Sequence, residues 1–142
     1  MKSHFLKFLA YEQWANEKII DSLGMTKYPS EKGLELLNHI LAAQNNWLCR
    51  LRNENSYLAL WEKKDLWESS QLLRKTTQNL VSFVESLSED DFTKTIAYVT
   101  SEGIEYSSTI QEILTHLMNH STYHRGQIVF NLKGQIPETD SF

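Results

Sequence analysis

The sequence has few of the residues that interrupt helices or build disulfide frameworks. Its 142 residues include two prolines, five glycines and one cysteine, Cys49. A single cysteine excludes an intrachain disulfide, and its place in an apolar helical stretch predicts a buried side chain rather than a nucleophile. The low proline and glycine content favours long helices. No run of about 18 apolar residues occurs, so the sequence predicts no membrane span.

The charge balance narrows the possible partners. Fourteen lysines and arginines stand against 18 aspartates and glutamates, which gives a net charge of −4 with neutral histidines. Such a surface repels phosphates, so we expect no nucleic-acid partner. Lys7, Glu12 and Asn16 interrupt the apolar residues at the N-terminus, which therefore lacks the core of a secretory signal. We expect a cytoplasmic protein whose residues 1–142 form a single domain.

Apolar residues recur at helical spacing in four segments. These predict helices over about residues 3–23, 30–53, 66–87 and 109–133. Gly24 and Gly134 are the predicted stops of the first and last helices. Asp65 is the predicted cap of the third helix, and Thr109-Ile110-Gln111-Glu112 matches the capping box that opens the fourth.

Two connections differ from the helices in composition. Residues 95–99 and 104–107 are rich in β-branched and aromatic side chains and flank a glycine-containing turn, which predicts a small hairpin or extended loop between the third and fourth helices. Residues 54–64 show no clear period, and a connection of that length suits a crossover to a parallel helix. Four amphipathic helices must bury their apolar stripes against one another. The sequence therefore predicts an all-α four-helix bundle.

Three of the five histidines recur every fourth residue: His116, His120 and His124. Neighbours in this series lie on one helix face and can bind the same metal ion. All three cannot, because His116 and His124 are separated by roughly 12 Å of helix rise. A third ligand must come from another helix. His39 lies near an apolar stripe, where an unpaired imidazole is costly to bury, while His4 is expected to be exposed. Spacing leaves open whether His39 joins the first pair or the second, and whether these imidazoles bind metal or only pack.

Several strings resemble the DinB superfamily of metalloproteins. N-H-S-T-Y-H-R-G-Q-I at residues 119–128 is similar to that family's helix 4 signature, and residues 11–16 resemble its Y-x-x-W-x-N pattern. Residues 37–43, followed by Trp47-Leu48, resemble its second helix. The resemblance implies an up-down-down-up bundle in which His39, His120 and His124 hold a divalent metal. Zinc or nickel is the expected ion, with iron, copper or manganese as alternatives.

The resemblance also implies a metal-dependent enzyme. The expected activity is that of a thiol transferase or a hydrolase acting on a small-molecule substrate, with a low-molecular-weight thiol as a candidate partner and a homodimer as the expected assembly. A non-catalytic metal-binding or ligand-binding bundle, or one that only mediates dimerisation, is the alternative. A third possibility is a scaffold in which the histidines merely pack.

Further residues are candidates for roles near the histidines: Tyr11, Trp14, Glu35, Asn46, Arg125 and Gly126. The two aromatic residues are expected to line the pocket or the core. The carboxylate and the amide share the helix face of His39, so each could bond a ligand or substrate or lie at the bundle rim, and Glu35 is the candidate general base of a hydrolase. The arginine is expected to be a structural ion-pair partner or a rim cation, and the glycine to permit close helix approach.

Overall fold

Four long helices and one hairpin make up the part of the fold that the structure describes. The computed structural model describes residues 1–26, 30–100, 102–133 and 135. The helices are α1 (Lys2–Met25), α2 (Glu31–Arg52), α3 (Leu66–Ser86) and α4 (Ile110–Leu132). A 3₁₀ turn (Asp90–Thr93) and the strands β1 (Thr95–Val99) and β2 (Glu105–Thr109) connect α3 to α4. The predicted all-α bundle with a small hairpin is confirmed.

The helix ends follow local capping chemistry. Asp65 and Thr109 each accept a hydrogen bond from the backbone of the third helical residue, and both complete a capping box. The predicted end of α1 is off by two residues, because the helix continues past residue 23 and through Gly24 to Met25, where the Thr26 N–H donates to the Leu23 carbonyl. The predicted stop at Gly134 lies outside the described residues.

Two core clusters at opposite ends of the bundle define the helix directions. One cluster joins the beginnings of α1 and α4 to the ends of α2 and α3, with members including Phe5, Leu51, Val84 and Ile113. The other joins the opposite ends, with members including Leu23, Leu37, Leu73 and Leu132. Helices α1 and α4 therefore run one way and α2 and α3 the other, which is the up-down-down-up arrangement. Around the bundle the packing order is α1, α3, α2, α4.

The connection between the parallel helices α2 and α3 returns along the surface of α2. Polar side chains of α2 bond the backbone of this connection at three places. Asn45 donates to the Ser56 carbonyl at 2.9 Å. The Asn46 amide both donates to the Leu58 carbonyl at 2.8 Å and accepts from the Leu58 N–H at 2.7 Å. Asn38 donates to the Lys64 carbonyl at 3.1 Å. These bonds place the middle of the connection over His39.

The hairpin packs on the bundle beside α2. Its strands are antiparallel with Thr95 opposite Thr109, and Gly103 in its turn has φ +78°, a conformation that favours glycine. The Tyr98 ring meets the edge of Trp47 at a centroid distance of 4.9 Å. Such packing supplies the support that an isolated two-stranded hairpin lacks.

Close helix approach involves Gly33 rather than Gly126. A Cβ at Gly33 would lie 2.8 Å from Leu23 Cδ2, whereas a Cβ at Gly126 would meet nothing within 4 Å. The prediction for Gly126 is therefore wrong, because that residue faces outward from α4. Cys49 is buried, as predicted. None of the described helices has the length and apolar character that crossing a bilayer requires.

Candidate metal centre

Three histidines from two helices converge between α2 and α4. His39 comes from α2, and His120 and His124 come from successive turns of α4. One ring nitrogen of each can be chosen so that all three lie within 4.8 Å of one another. The Nε2 atoms of His39 and His120 are 3.1 Å apart. The structure thus brings together the three residues that the resemblance implied.

Oxygen acceptors orient two of these three rings, those of His39 and His124. The Nδ1 atom of His39 lies 3.2 Å from the Leu60 carbonyl, and that of His124 lies 2.7 Å from Oε1 of Gln127. Because a carbonyl or amide oxygen only accepts, each Nδ1 carries the proton in these contacts. With the proton on Nδ1, each ring has Nε2 as the nitrogen that can bind a metal, which is the usual way that an outer hydrogen bond prepares a histidine ligand.

Burial affects the pKa of His120 strongly. Its Nδ1 is buried and has no hydrogen-bond partner among the described residues. Burial, reinforced by the neighbouring histidines, lowers the pKa of His120 to about 4. Burial also lowers the pKa of His39, although the bond to Leu60 opposes that effect. Both rings are therefore neutral near pH 7, the form in which imidazole binds metal.

An aromatic side chain of the α2–α3 connection covers His39. The Trp61 ring stacks on the imidazole at a centroid distance of 3.9 Å and an interplanar angle of 11°. Only 8% of the His39 surface remains exposed. The indole therefore excludes water from one face of the site and holds the ring toward α4.

His116 lies one turn before the cluster and is not part of the group that meets within 4.8 Å. Its ring contacts Trp47 at 5.4 Å and His120 at 5.8 Å, measured between centroids. Burial lowers its pKa. Of the two pairings that spacing left open, the structure brings His120 and His124 to His39.

A cavity of about 610 Å³ opens beside His124. Its walls come from α2, α4 and the α2–α3 connection, and they comprise Lys32, Leu36, Trp61, Tyr123, His124, Gly126, Gln127, Phe130 and Asn131. Tyr11 and Trp14, which were expected to line the pocket or the core, are not among these residues. The Tyr11 ring lies instead against the Arg125 guanidinium at 5.5 Å and near the Trp14 ring.

The two polar residues that share the helix face of His39 have protein partners. Glu35 forms an ion pair with Lys32 at 3.0 Å. Asn46 uses both ends of its amide on the backbone of Leu58. Its role in this structure is therefore to hold the connection that carries Leu60 and Trp61.

A buried polar network lies beside the ligand turns of α4. Both terminal nitrogens of Arg125 donate to the Glu12 carboxylate, at 2.9 and 2.6 Å. Gln44 donates to Glu12 and to Ser121, each at 3.1 Å. The network ties α1, α2 and α4 together, and Arg125 is the structural ion-pair partner that was expected. Sequence reasoning missed Glu12 and Gln44, although Glu12 stands on the apolar stripe of α1 and so carried a signal.

Comparison with known sequences shows the family to which this chain belongs. The pattern of the DinB family matches residues 1–134. The chain belongs to the DinB family. A DinB relative, "Protein DinB" of Bacillus subtilis (strain 168), is 23% identical over an alignment of 153 positions that covers 94% of this chain and 87% of that protein. No solved structure gives a significant match.

The donor set of this DinB family member fits a divalent transition metal. Three neutral imidazoles suit zinc, nickel, copper or iron. Nitrogens bound tetrahedrally at about 2.0–2.1 Å lie about 3.3 Å apart, so the 3.1 Å contact between His39 and His120 already matches. Because all three donor nitrogens lie within 4.8 Å of one another, side-chain movements of about 1–2 Å would bring the remaining pairs to this distance.

Proposed function

We propose that His39, His120 and His124 bind a divalent transition metal, and that the protein is a metal-dependent enzyme acting on a small molecule. The observation that carries the proposal is the convergence of three imidazole nitrogens within 4.8 Å. Zinc or nickel is the favoured ion, and iron, copper and manganese are the alternatives. Three protein ligands leave a coordination position open, which is typical of catalytic rather than structural sites.

A bound divalent metal supplies Lewis acidity and lowers the pKa of a water or thiol at its open position. The chain's own groups prepare the site for that chemistry. Leu60 and Gln127 hold the tautomers of His39 and His124. Trp61 keeps water from one face of His39. The cavity beside His124 provides room for a substrate next to the ligands.

Of the two reaction classes, we propose a transferase rather than a hydrolase. A hydrolase needs a general base near the attacking water. Glu35, the candidate base, is bonded to Lys32 and is not among the residues that line the cavity. A transferase whose thiol is activated by the metal does not need this base. We propose a low-molecular-weight thiol as co-substrate and a homodimer as the assembly, both by analogy with the family.

Metal analysis of untagged protein tests the binding proposal. After loading and gel filtration, elemental analysis should find close to one equivalent of metal in the wild type and less than a tenth in His120→Ala. His116→Ala is the matched control, since it removes an imidazole from the next turn of the same helix without removing a proposed ligand. It should bind like the wild type. Less than a tenth of an equivalent of every transition metal in the wild type would refute the proposal.

A thiol-transfer assay tests catalysis separately. Small thiols and electrophilic acceptors are screened with the metal-loaded wild type, and any activity should disappear in His120→Ala and persist in His116→Ala. Activity unchanged in His120→Ala would remove the metal from the mechanism. Stoichiometric metal binding without turnover of any tested pair would favour the non-catalytic binding module.

A further inference from the structure

The cavity beside His124 is continuous with the proposed metal centre. His124 and Trp61 belong to both, because one is a proposed ligand and the other stacks on the ligand His39. Its volume of about 610 Å³ lies within the range of roughly 300–1,000 Å³ that is usual for small-molecule pockets. A molecule bound there would reach the histidines directly.

Exposed aromatic side chains surround this cavity. Trp61, Tyr123 and Phe130 are 50%, 65% and 77% exposed, respectively. Apolar groups left in water cost free energy, and a contiguous set around a concavity is typical of a ligand-binding surface. Leu36, which is buried, adds an aliphatic wall. The lining thus matches a planar apolar ligand.

The charges of the lining are already compensated. Lys32 is the one lysine or arginine among the described residues of the wall. Its ammonium is 3.0 Å from the Glu35 carboxylate and 5.4 Å from the centre of the Trp61 ring. Gln127 uses its amide oxygen on His124, and Asn131 donates to the Gln127 carbonyl. Among the described residues, the protein groups of this wall therefore offer no uncompensated charge to an ionic ligand, so any attraction for an anion would come from the bound metal.

Gly126 leaves the α4 side of the cavity open. A Cβ there would meet nothing within 4 Å, so the absent side chain is not required by helix packing. Glycine in a helix interior costs about 1 kcal/mol relative to alanine. Gly126 lines the cavity, so its lack of a side chain leaves space beside His124.

We propose that this cavity binds an uncharged, planar aromatic part of the substrate and holds it next to the metal centre. The inference rests on the proposed function for the role of the ligand as substrate. In this proposal the side chains of Trp61, Tyr123 and Phe130 contact the aromatic part of the substrate. The absence of a side chain at Gly126 leaves space for it.

Fluorescence titration with N-phenyl-1-naphthylamine, an uncharged aromatic probe, tests this proposal. The full-length, zinc-loaded wild type should bind the probe, and Gly126→Leu should weaken binding at least tenfold by occupying the part of the cavity beside His124. Thr115→Leu is the matched control, because it adds a leucine to the same exposed face of α4 three turns earlier, outside the cavity. It should bind like the wild type. Phe130→Ala, at a position too exposed to affect folding, should weaken binding severalfold.

Several outcomes would overturn the proposal. One is unchanged probe binding in both Gly126→Leu and Phe130→Ala. Another is tighter binding of the anionic probe 1-anilinonaphthalene-8-sulfonate than of the uncharged one to the metal-free protein, where no cation adds its own attraction; that result would contradict the charge argument. A third is a change in molar mass by light scattering in Gly126→Leu with probe binding intact, because the surface would then be an interface between copies. Zinc content is measured in every variant, so failure of metal loading with normal probe behaviour would refute the metal centre and leave the cavity.

Discussion

Replacement of Arg125 by methionine should strongly destabilise the metal-free protein. The side chains of Arg125 and Glu12 are only 4% and 3% exposed, and the guanidinium contacts both carboxylate oxygens. Removing one member of a buried ion pair leaves an uncompensated charge in a poorly solvated place. In Arg125→Met the Glu12 carboxylate would keep the bond from Gln44 and lose its cation.

The expected cost is about 3–5 kcal/mol, the usual penalty for breaking a buried pair. A domain of this size has a total stability of roughly 5–15 kcal/mol, so the loss is a large fraction of it. At about 3–4 °C per kcal/mol, the thermal midpoint should fall by roughly 10–20 °C. The double variant Glu12→Met/Arg125→Met should recover more than half of the loss, because it removes both charges together and replaces them with apolar side chains.

Urea denaturation in the presence of a chelator provides the measurement, since bound metal would add its own stabilisation. The exposed pair between Lys64 and Glu62 gives the matched control, and Glu62→Gln should change stability by less than about 1 kcal/mol. A loss in Arg125→Met as small as that of the control would refute the reasoning. So would a double variant whose destabilisation equals the sum of its single variants, because buried partners must couple.

Three further predictions concern pH and the connection over the site. Metal occupancy should fall from pH 7 to pH 5 and further through pH 4, because protons compete for the ligand nitrogens and the pKa of His120 is about 4; constant occupancy would argue against imidazole ligation. The metal-free protein should lose stability as pH falls from about 6.5 to about 4, because over this range His120 is protonated in the unfolded chain but stays neutral in the folded one. In urea titrations, His120→Gln should flatten this dependence of stability on pH. Asn46→Ala should cost about 1–3 kcal/mol and shift the fluorescence of Trp61 by releasing Leu58; an unchanged spectrum and midpoint would contradict that role.

Much of the fold could be predicted because its determinants are local. Helix periodicity marked the four segments, and the caps at Asp65 and Thr109 lie where side chains bond backbone groups three residues away. The small hairpin likewise follows from β-branched residues and a glycine turn. The predicted end of α1 before Gly24 was wrong by two residues because helix ends depend on competing local bonds.

The site was predictable only in part. Spacing on α4 showed that neighbouring histidines share a face, and the place of His39 near an apolar stripe made it the candidate third ligand. The family resemblance selected His120 and His124 as its partners. No local pattern could reveal that the Leu60 carbonyl fixes the tautomer of His39 or that Trp61 covers it. Their approach depends on where a connection without regular structure crosses α2.

The sequence by itself determined the helices, their capped ends and the presence of two imidazoles on one face of α4, because these properties arise within a few residues of chain. The tertiary structure decided which pair of histidines meets His39, that Arg125 neutralises Glu12 across 113 positions, and that Gly126 opens a cavity instead of a helix contact. These outcomes depend on the rotation and offset of one packed helix against another. That geometry is set by the whole core at once and is not written in any single segment.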